Sequence, residues 1–316
     1  RLLTSTSRLR ADLALVLVSL FWGITFPLIR DALGDVGPTQ FIGWRFTLAT
    51  LAFLPFVLLS PEARRALRRV ALPGALLGVL AWTTYMTQTI GLQTVPAGRA
   101  AFITGTSVVI VPLLAPLFRA GRPGPVDLVA AAVAAGGLYL LTRGDGSDAA
   151  GFGTGDLWIL GCAFGYSVYL LVLQRVLRLE HHPTALAFVQ VAAIGVVAGT
   201  LLGARGNVAI ELSAEVLRAL LFCALVATVG TFWLQTRFQG ASTPQRAALI
   251  FSLEPVFATF FSWWWLGERL SALGALGAAL ILGAVVASEL FTVRRQARSR
   301  TMSGQEPLAP VDSEGS

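Results

Sequence analysis

The sequence predicts an all-α polytopic membrane protein: ten transmembrane helices as two inverted five-helix repeats, with both termini cytoplasmic. Three observations lead to this fold class. The chain is 55% hydrophobic and only 13% charged, about half the charge of an average soluble domain. Its apolar residues form ten runs long enough to span a bilayer. The second half of the chain repeats the first half at a nearly fixed offset.

The ten apolar runs are separated by short loops rich in glycine and proline. In chain order the predicted crossings are 12–33, 38–59, 70–93, 97–118, 125–142, 155–178, 183–203, 216–238, 243–265 and 271–291. The first five make one repeat, residues 12–142, and the last five make the second, residues 155–291. The polar composition of residues 292–316 predicts a disordered cytoplasmic tail.

The positions of the basic residues predict the orientation in the membrane. If the N-terminus is cytoplasmic, 17 of the 24 basic residues lie in cytoplasmic segments and six lie in external loops. Basic residues concentrate on the cytoplasmic side of membrane proteins, so this orientation is favoured. The run Trp263, Trp264 and Trp265 then lies at the outer interface, where aromatic residues are enriched.

The repeat is clearest where 99–103 (Arg-Ala-Ala-Phe-Ile) is matched 147 residues later by 246–250 (Arg-Ala-Ala-Leu-Ile). Corresponding helices are five crossings apart. Because five is an odd number, the second repeat enters the membrane in the opposite direction, which is an inverted-topology repeat.

Pairing the repeats places polar or aromatic residues at matching positions. In hydrocarbon such side chains face the protein interior or a water-filled cavity. We therefore expect one internal cavity, although hydrogen bonding between helices in a dry interior is an open alternative. The candidate substrate-binding residues are Trp22, Trp44, Arg45, Tyr85, Gln88, Ser107, Tyr166, Gln190, Phe232, Gln235 and Glu254.

Two charges, Arg45 and Glu254, fall well inside predicted crossings. A buried charge costs about 2.5–3.5 kcal/mol on insertion scales, so it implies a partner or a function. Glu254 is interpreted either as a titratable group that binds a substrate amine or carries a proton, or as a carboxylate that is paired with Arg45 or capped by nearby donors and holds helices together. Arg45 in turn is either structural or a ligand of a substrate carboxylate. Pro255 lacks a backbone donor and predicts a kink beside Glu254.

Other residues argue against an enzyme. Cys162 and Cys223 lie in apolar runs and are interpreted as small core residues. His181 and His182 are adjacent in a loop, so neither a metal site nor an intramembrane Ser/His site is expected. We predict no enzymatic activity, no cofactor, no metal and no nucleic-acid partner. Small residues at every fourth position of helices five and ten predict close helix packing: Ala132 and Gly136, then Ala275, Ala279, Gly283 and Ala287.

Several motifs resemble the EamA family of the drug/metabolite transporter superfamily. The first half carries 21–26 (Phe-Trp-Gly-Ile-Thr-Phe), then Pro38 and 44–46 (Trp-Arg-Phe). The second half carries 252–256 (Ser-Leu-Glu-Pro-Val), followed by 266–270 (Leu-Gly-Glu-Arg-Leu). One departure is visible at 121–123: the resemblance implies a Glu-Arg-Pro loop in the first half, whereas this chain has Gly-Arg-Pro.

The resemblance implies a multi-pass carrier of the bacterial inner membrane, commonly an exporter of amino acids or related metabolites. The predicted function is therefore secondary transport by alternating access. Its partners would be a small metabolite and the lipid bilayer, with protons as a candidate coupling ion. A lipid flippase and a non-transport membrane sensor or scaffold remain alternatives.

Overall fold

The computed structural model describes residues 5–118, 124–143, 152–179, 182–206, 208–238 and 250–302, and every regular element within these ranges is helical. We number ten helical segments and join contiguous turns of different helix type. They are α1 Ser5–Ala32, α2 Pro38–Leu58, α3 Pro61–Leu92, α4 Ala97–Phe118, α5 Pro125–Arg143, α6 Thr154–Leu179, α7 Pro183–Ala204, α8 Ala214–Phe238, α9 Glu254–Leu266 and α10 Ala272–Met302.

The segments follow the order of the predicted crossings, with shifted ends. Helix α3 begins at Pro61 rather than at residue 70, because Ser60 caps it by accepting from the Ala63 backbone N–H at 3.2 Å. Helix α10 continues to Met302, so the predicted tail begins as helix. Several residues singled out from the sequence lie outside the described residues: 121–123, His181, 246–249 and 303–316.

Among the residues that the structure describes, seven helices are long and apolar enough to cross a bilayer: α1 to α4 and α6 to α8. Leu128–Leu141 in α5 and Ala272–Ala287 in α10 are apolar but shorter. The described part of α9 has 13 residues. Length and composition therefore support a polytopic membrane protein, and the count of ten crossings stays a prediction.

The helices around the protein centre pack as two bundles, and the internal repeat relates one bundle to the other. In bundle A, α3 packs against α6 and α7, and α4 packs against α6. In bundle B, α8 packs against α1 and α2, and α9 packs against α1. Replacing each helix by its repeat counterpart turns bundle A into bundle B. Contacts of α2 with α7 and of α4 with α9 join the bundles.

Gly23 allows α1 to approach α9 closely. A Cβ at this position would lie 2.7 Å from the Phe257 Cβ and 3.1 Å from the Glu254 carbonyl oxygen. Any larger residue would have to push α9 away. The close approach brings the aromatic motif of the first repeat against the Glu-Pro motif of the second.

Helices α5 and α10 pack closely, but through other small residues than those predicted. A Cβ on Gly277 would lie only 2.5 Å from the Gly137 carbonyl oxygen. The predicted residues are exposed instead: Ala132, Gly136, Ala275, Ala279, Gly283 and Ala287. Both helices are rich in alanine and glycine on several faces, and only the partner helix decides which face is buried.

This packing predicts different outcomes for two glycines of α10. We expect Gly277→Leu to destabilise the protein by about 1–3 kcal/mol, because the added side chain overpacks the contact with α5. Gly283→Leu is the matched control, since nothing lies within 4 Å of a Cβ there. Melting temperatures of the purified proteins in detergent provide the measurement. Equal losses of stability in both variants would contradict this packing.

Candidate functional site

A cavity of about 50 Å³ lies between the two bundles. It has room for a few water molecules. Bundle A lines it with α3, α4 and α6, and bundle B lines it with α1, α2, α8 and α9. The lining residues are Trp22, Thr25, Phe26, Arg45, Ala81, Thr84, Tyr85, Gln88, Thr104, Cys162, Tyr166, Tyr169, Phe232, Gln235 and Glu254.

Residues paired from the repeat meet each other across this cavity. The rings of Tyr85 and Phe232 stack with centroids 6.3 Å apart. The rings of Trp22 and Tyr166 meet edge to face at 6.0 Å. Each pair joins one residue of bundle A to its counterpart in bundle B, so the axis that relates the repeats passes between them.

Eight of the eleven predicted site residues line the cavity, and three do not. Trp44 donates from Nε1 to the Val208 carbonyl at 3.0 Å, beside the α7–α8 loop. Gln190 is fully buried and accepts from the Tyr169 hydroxyl at 2.8 Å, so Tyr169 faces the cavity in its place. Ser107 is buried, and its carbonyl accepts from the Ser167 hydroxyl at 3.1 Å.

Seven lining residues were absent from the predicted set. Most follow from the predicted residues by helical spacing. Thr25 lies one turn after Trp22, Tyr169 lies one turn after Tyr166, and Thr84 and Ala81 continue the stripe of α3. The remaining ones are Phe26, Thr104 and Cys162, the last a buried residue that also faces the cavity.

Arg45 is only 1% exposed and is anchored to α8. Its Nε donates to the Thr228 hydroxyl at 3.1 Å, and its NH2 donates to the Ala227 carbonyl at 3.3 Å. The guanidinium carbon also lies 4.8 Å from the centre of the Tyr85 ring, a cation–π contact. These contacts compensate the buried charge and hold it at the cavity wall.

The part of α8 that receives Arg45 is a π-helical segment, Phe222–Gly230, a form often found at functional sites. Within it the Thr228 hydroxyl donates to the Cys223 carbonyl at 2.7 Å, so its oxygen lone pairs face Arg45. One turn later, the Thr231 hydroxyl accepts from the Trp22 Nε1 at 3.1 Å. Two threonines of α8 therefore position two cavity residues of the first repeat.

Glu254 begins α9 directly after a turn at residues 252–253, with Pro255 in the first turn of the new helix. The predicted kink beside Glu254 is therefore a break in the helix. The same break occurs in α4 at Thr106, before Ser107. The two repeats thus place a serine and a carboxylate at the same point, where the positive end of a helix stabilises an anion.

Arg45 and Glu254 do not form an ion pair. Within the described ranges the Glu254 carboxylate has no cation within 4.0 Å and no hydrogen-bond donor, while Arg45 is bonded to α8. The interpretation of Glu254 as a partner of Arg45 is therefore wrong. Two polar atoms of other lining residues, Gln235 Nε2 and the Tyr166 hydroxyl, are buried and have no hydrogen-bond partner among the described residues.

Comparison with known proteins gives the family of the chain. The model of the EamA-like transporter family matches residues 9–143 and 153–289. An uncharacterized transporter of Archaeoglobus fulgidus is 35% identical over 88% of this chain and 85% of its own length. The uncharacterized transporter YdfC of Bacillus subtilis is 27% identical over 84% of this chain and 86% of its own length.

A solved crystal structure shares the fold, with a TM-score of 0.67 over 91% of this chain and 99% of the solved chain, at 18% identity. Family model and relatives together support a membrane transporter rather than an enzyme. The chain belongs to the EamA-like transporter family.

Proposed function

We propose that this protein is a secondary transporter that exports amino acids or related small metabolites across the bacterial inner membrane by alternating access. The observation that carries the proposal is the placement of Arg45 and Glu254. They are opposite charges on one cavity wall that are not paired with each other. A ligand that carries both charges satisfies both residues at once.

The chemistry of the lining favours a zwitterion with an apolar part. A guanidinium binds a carboxylate through charge-assisted hydrogen bonds, and the Glu254 carboxylate binds an ammonium group. The rings of Trp22, Tyr85 and Phe232 offer apolar contact to the rest of the ligand. The unpartnered Gln235 Nε2 supplies one further donor.

The size and position of the cavity support alternating access. A volume of about 50 Å³ admits a few waters but no whole amino acid. We therefore expect bundles A and B to separate when a substrate enters. Repeats related by an axis through the site give two matching ways to separate them, one toward each side. Export and the inner membrane are carried over from the family resemblance.

Three compounds that each contain a phenyl group but differ in their charged groups test the proposal. L-phenylalanine carries both charges, phenethylamine lacks the carboxylate, and 3-phenylpropanoate lacks the amine. In proteoliposomes preloaded with phenylalanine, we expect counterflow of labelled phenylalanine that neither single-charge analogue inhibits well. Equal inhibition by phenethylamine would contradict the role of Arg45.

Absence of counterflow with phenylalanine and with a mixture of the proteinogenic amino acids would contradict the substrate class. A melting-temperature screen of the same purified protein distinguishes a flippase from the proposed amino-acid transporter. Phospholipids that raise the melting temperature, in a protein that amino acids leave unchanged, would favour a flippase over the proposed function.

A further inference from the structure

An ion pair outside the cavity, between Arg30 and Glu268, lies where α1 and α9 end. Arg30 is in the last turn of α1, and Glu268 follows Gly267, whose left-handed backbone (φ 68°) terminates α9. The Arg30 Nε lies 3.2 Å from the Glu268 Oε1. Both helices belong to bundle B, so the pair itself does not join the bundles.

Each member of the pair also reaches bundle A. The Arg30 guanidinium donates to the carbonyls of Leu92 at 2.9 Å and Val95 at 2.5 Å, where α3 ends. The Glu268 carboxylate accepts from the backbone N–H groups of Ala97 and Gly98, both at 3.1 Å, where α4 begins.

The signs of these contacts match the helix ends. The carbonyl end of a helix carries partial negative charge and its N–H end carries partial positive charge. The cation thus meets the end of α3 and the anion meets the start of α4. The ion pair is docked in the α3–α4 turn with both charges in their favourable positions.

The receiving turn is braced within bundle A. Arg99 in the first turns of α4 makes two hydrogen bonds to Asp156 of α6, at 2.9 and 2.6 Å, and both side chains are buried. The Asp156 carboxylate also accepts from the Gly153 N–H at 2.8 Å. The turn is therefore held rigidly against α6 while it receives the charges of bundle B.

The first repeat does not carry an equivalent of Glu268. The residue 147 positions before Glu268 is Gly121, which has no carboxylate. The matching loop of the first repeat lacks the anion that would cap a helix of the opposite bundle. The two ends of the carrier thus differ in charge chemistry although their scaffolds are related.

We propose that Arg30 and Glu268 form a latch that closes one end of the cavity by docking bundle B onto the α3–α4 turn of bundle A. The latch rests on the proposed transport function, because a carrier must expose its site to each side in turn. Opening at this end breaks the four backbone contacts of the pair. The arginine distribution assigns this end to the external side.

The two native cysteines provide a reporter of opening. Cys162 lines the cavity, whereas Cys223 is fully buried outside the lining. In a Cys223→Ser background, the alkylation rate of Cys162 by a membrane-impermeant maleimide measures access to the site. Labelling of intact cells reports access from outside, and labelling of inverted vesicles reports access from inside.

We expect Glu268→Gln and Arg30→Gln each to raise the external labelling rate about tenfold, the change that losing about 1.4 kcal/mol of charge-assisted hydrogen bonding gives. Labelling in inverted vesicles should not rise. Glu215→Gln is the matched control, because its ion pair with Arg218 lies exposed within α8 alone. Melting temperatures near that of the parent protein verify that each variant is folded.

The charge-reversed double variant Arg30→Glu/Glu268→Arg tests whether the contacts with the helix ends close the cavity, or whether the ion pair alone is enough. It restores an ion pair but places each charge against a helix end of its own sign, so we expect external labelling to stay fast. External labelling of both single variants at the parent rate would overturn the latch, as would restored protection in the double variant.

Labelling needs no substrate, so the two proposals fail separately. Faster labelling of the latch variants in a protein that shows no counterflow would contradict the proposed substrate class and leave the latch. Counterflow with unchanged labelling of folded latch variants would overturn the latch alone.

Discussion

We expect Glu254→Gln to abolish proton-driven accumulation of substrate, while counterflow persists with a weaker apparent affinity because the charge that binds the ammonium is lost. The carboxylate faces the cavity without a cation partner in the described part of the chain, so it can exchange a proton for a substrate amine. The amide keeps the size and hydrogen bonding of the side chain but cannot carry a proton. Proton coupling through Glu254 is the part of the proposed function that this result decides.

The size of the effect follows from the driving force. With one proton exchanged per substrate, a gradient of one pH unit supports about tenfold accumulation, which corresponds to about 1.4 kcal/mol. We expect a ratio near one for Glu254→Gln in liposomes that carry this gradient. Glu62→Gln, an exposed carboxylate in the first turn of α3, should accumulate substrate like the parent protein. Normal proton-driven uptake by Glu254→Gln would show that the coupling role is wrong.

We expect Arg45→Gln to weaken phenylalanine binding by about 10–100-fold, the loss expected for a charge-assisted contact of about 1.5–3 kcal/mol. Glutamine is the residue that the second repeat carries at the matching position, Gln190. Binding of phenethylamine, which has no carboxylate, should change little. Competition counterflow with the two compounds measures the difference, and equal losses for both would contradict carboxylate recognition by Arg45.

Substitutions of Thr228 test carboxylate recognition by Arg45 without removing the Arg45 charge. Thr228→Val deletes the hydroxyl that accepts from the Arg45 Nε, so we expect a smaller loss that again affects phenylalanine and spares phenethylamine. Thr228→Ser keeps the hydroxyl and should bind phenylalanine like the parent protein. If valine and serine behave alike, Arg45 does not depend on this contact.

Local sequence signals predicted most of the helix order. Runs of apolar residues and the prolines that begin α2, α3 and α7 are properties of neighbouring residues, and the helices follow them. The predicted crossing begins at residue 70 rather than at Pro61, because the arginine-rich start of α3 resembles a loop in composition. Arginine favours helix, so α3 extends to its Ser60 cap.

Comparison of the repeats predicted aromatic pairs that line the cavity, but it also selected Gln190 and Ser107, which do not line it. Tyr85 with Phe232, and Trp22 with Tyr166, meet across the cavity as pairs. Gln190 is as polar as Gln235 but lies behind Tyr169, bonded to its hydroxyl. A buried glutamine is satisfied either by a ligand or by a neighbouring side chain, and one sequence does not distinguish the two.

The membrane class, the order of the helices, the repeat and the residues at matching positions could all be predicted from the amino-acid sequence. These follow from local hydrophobicity and from the comparison of two copies. The packing of the helices was needed to show that Arg45 bonds to α8 rather than to Glu254. It also decided that Gly277 rather than Gly283 contacts α5, and that Glu268 caps α4. The physical reason is the same in each case: a helix presents several similar faces, and only its packed neighbours select the face that is buried.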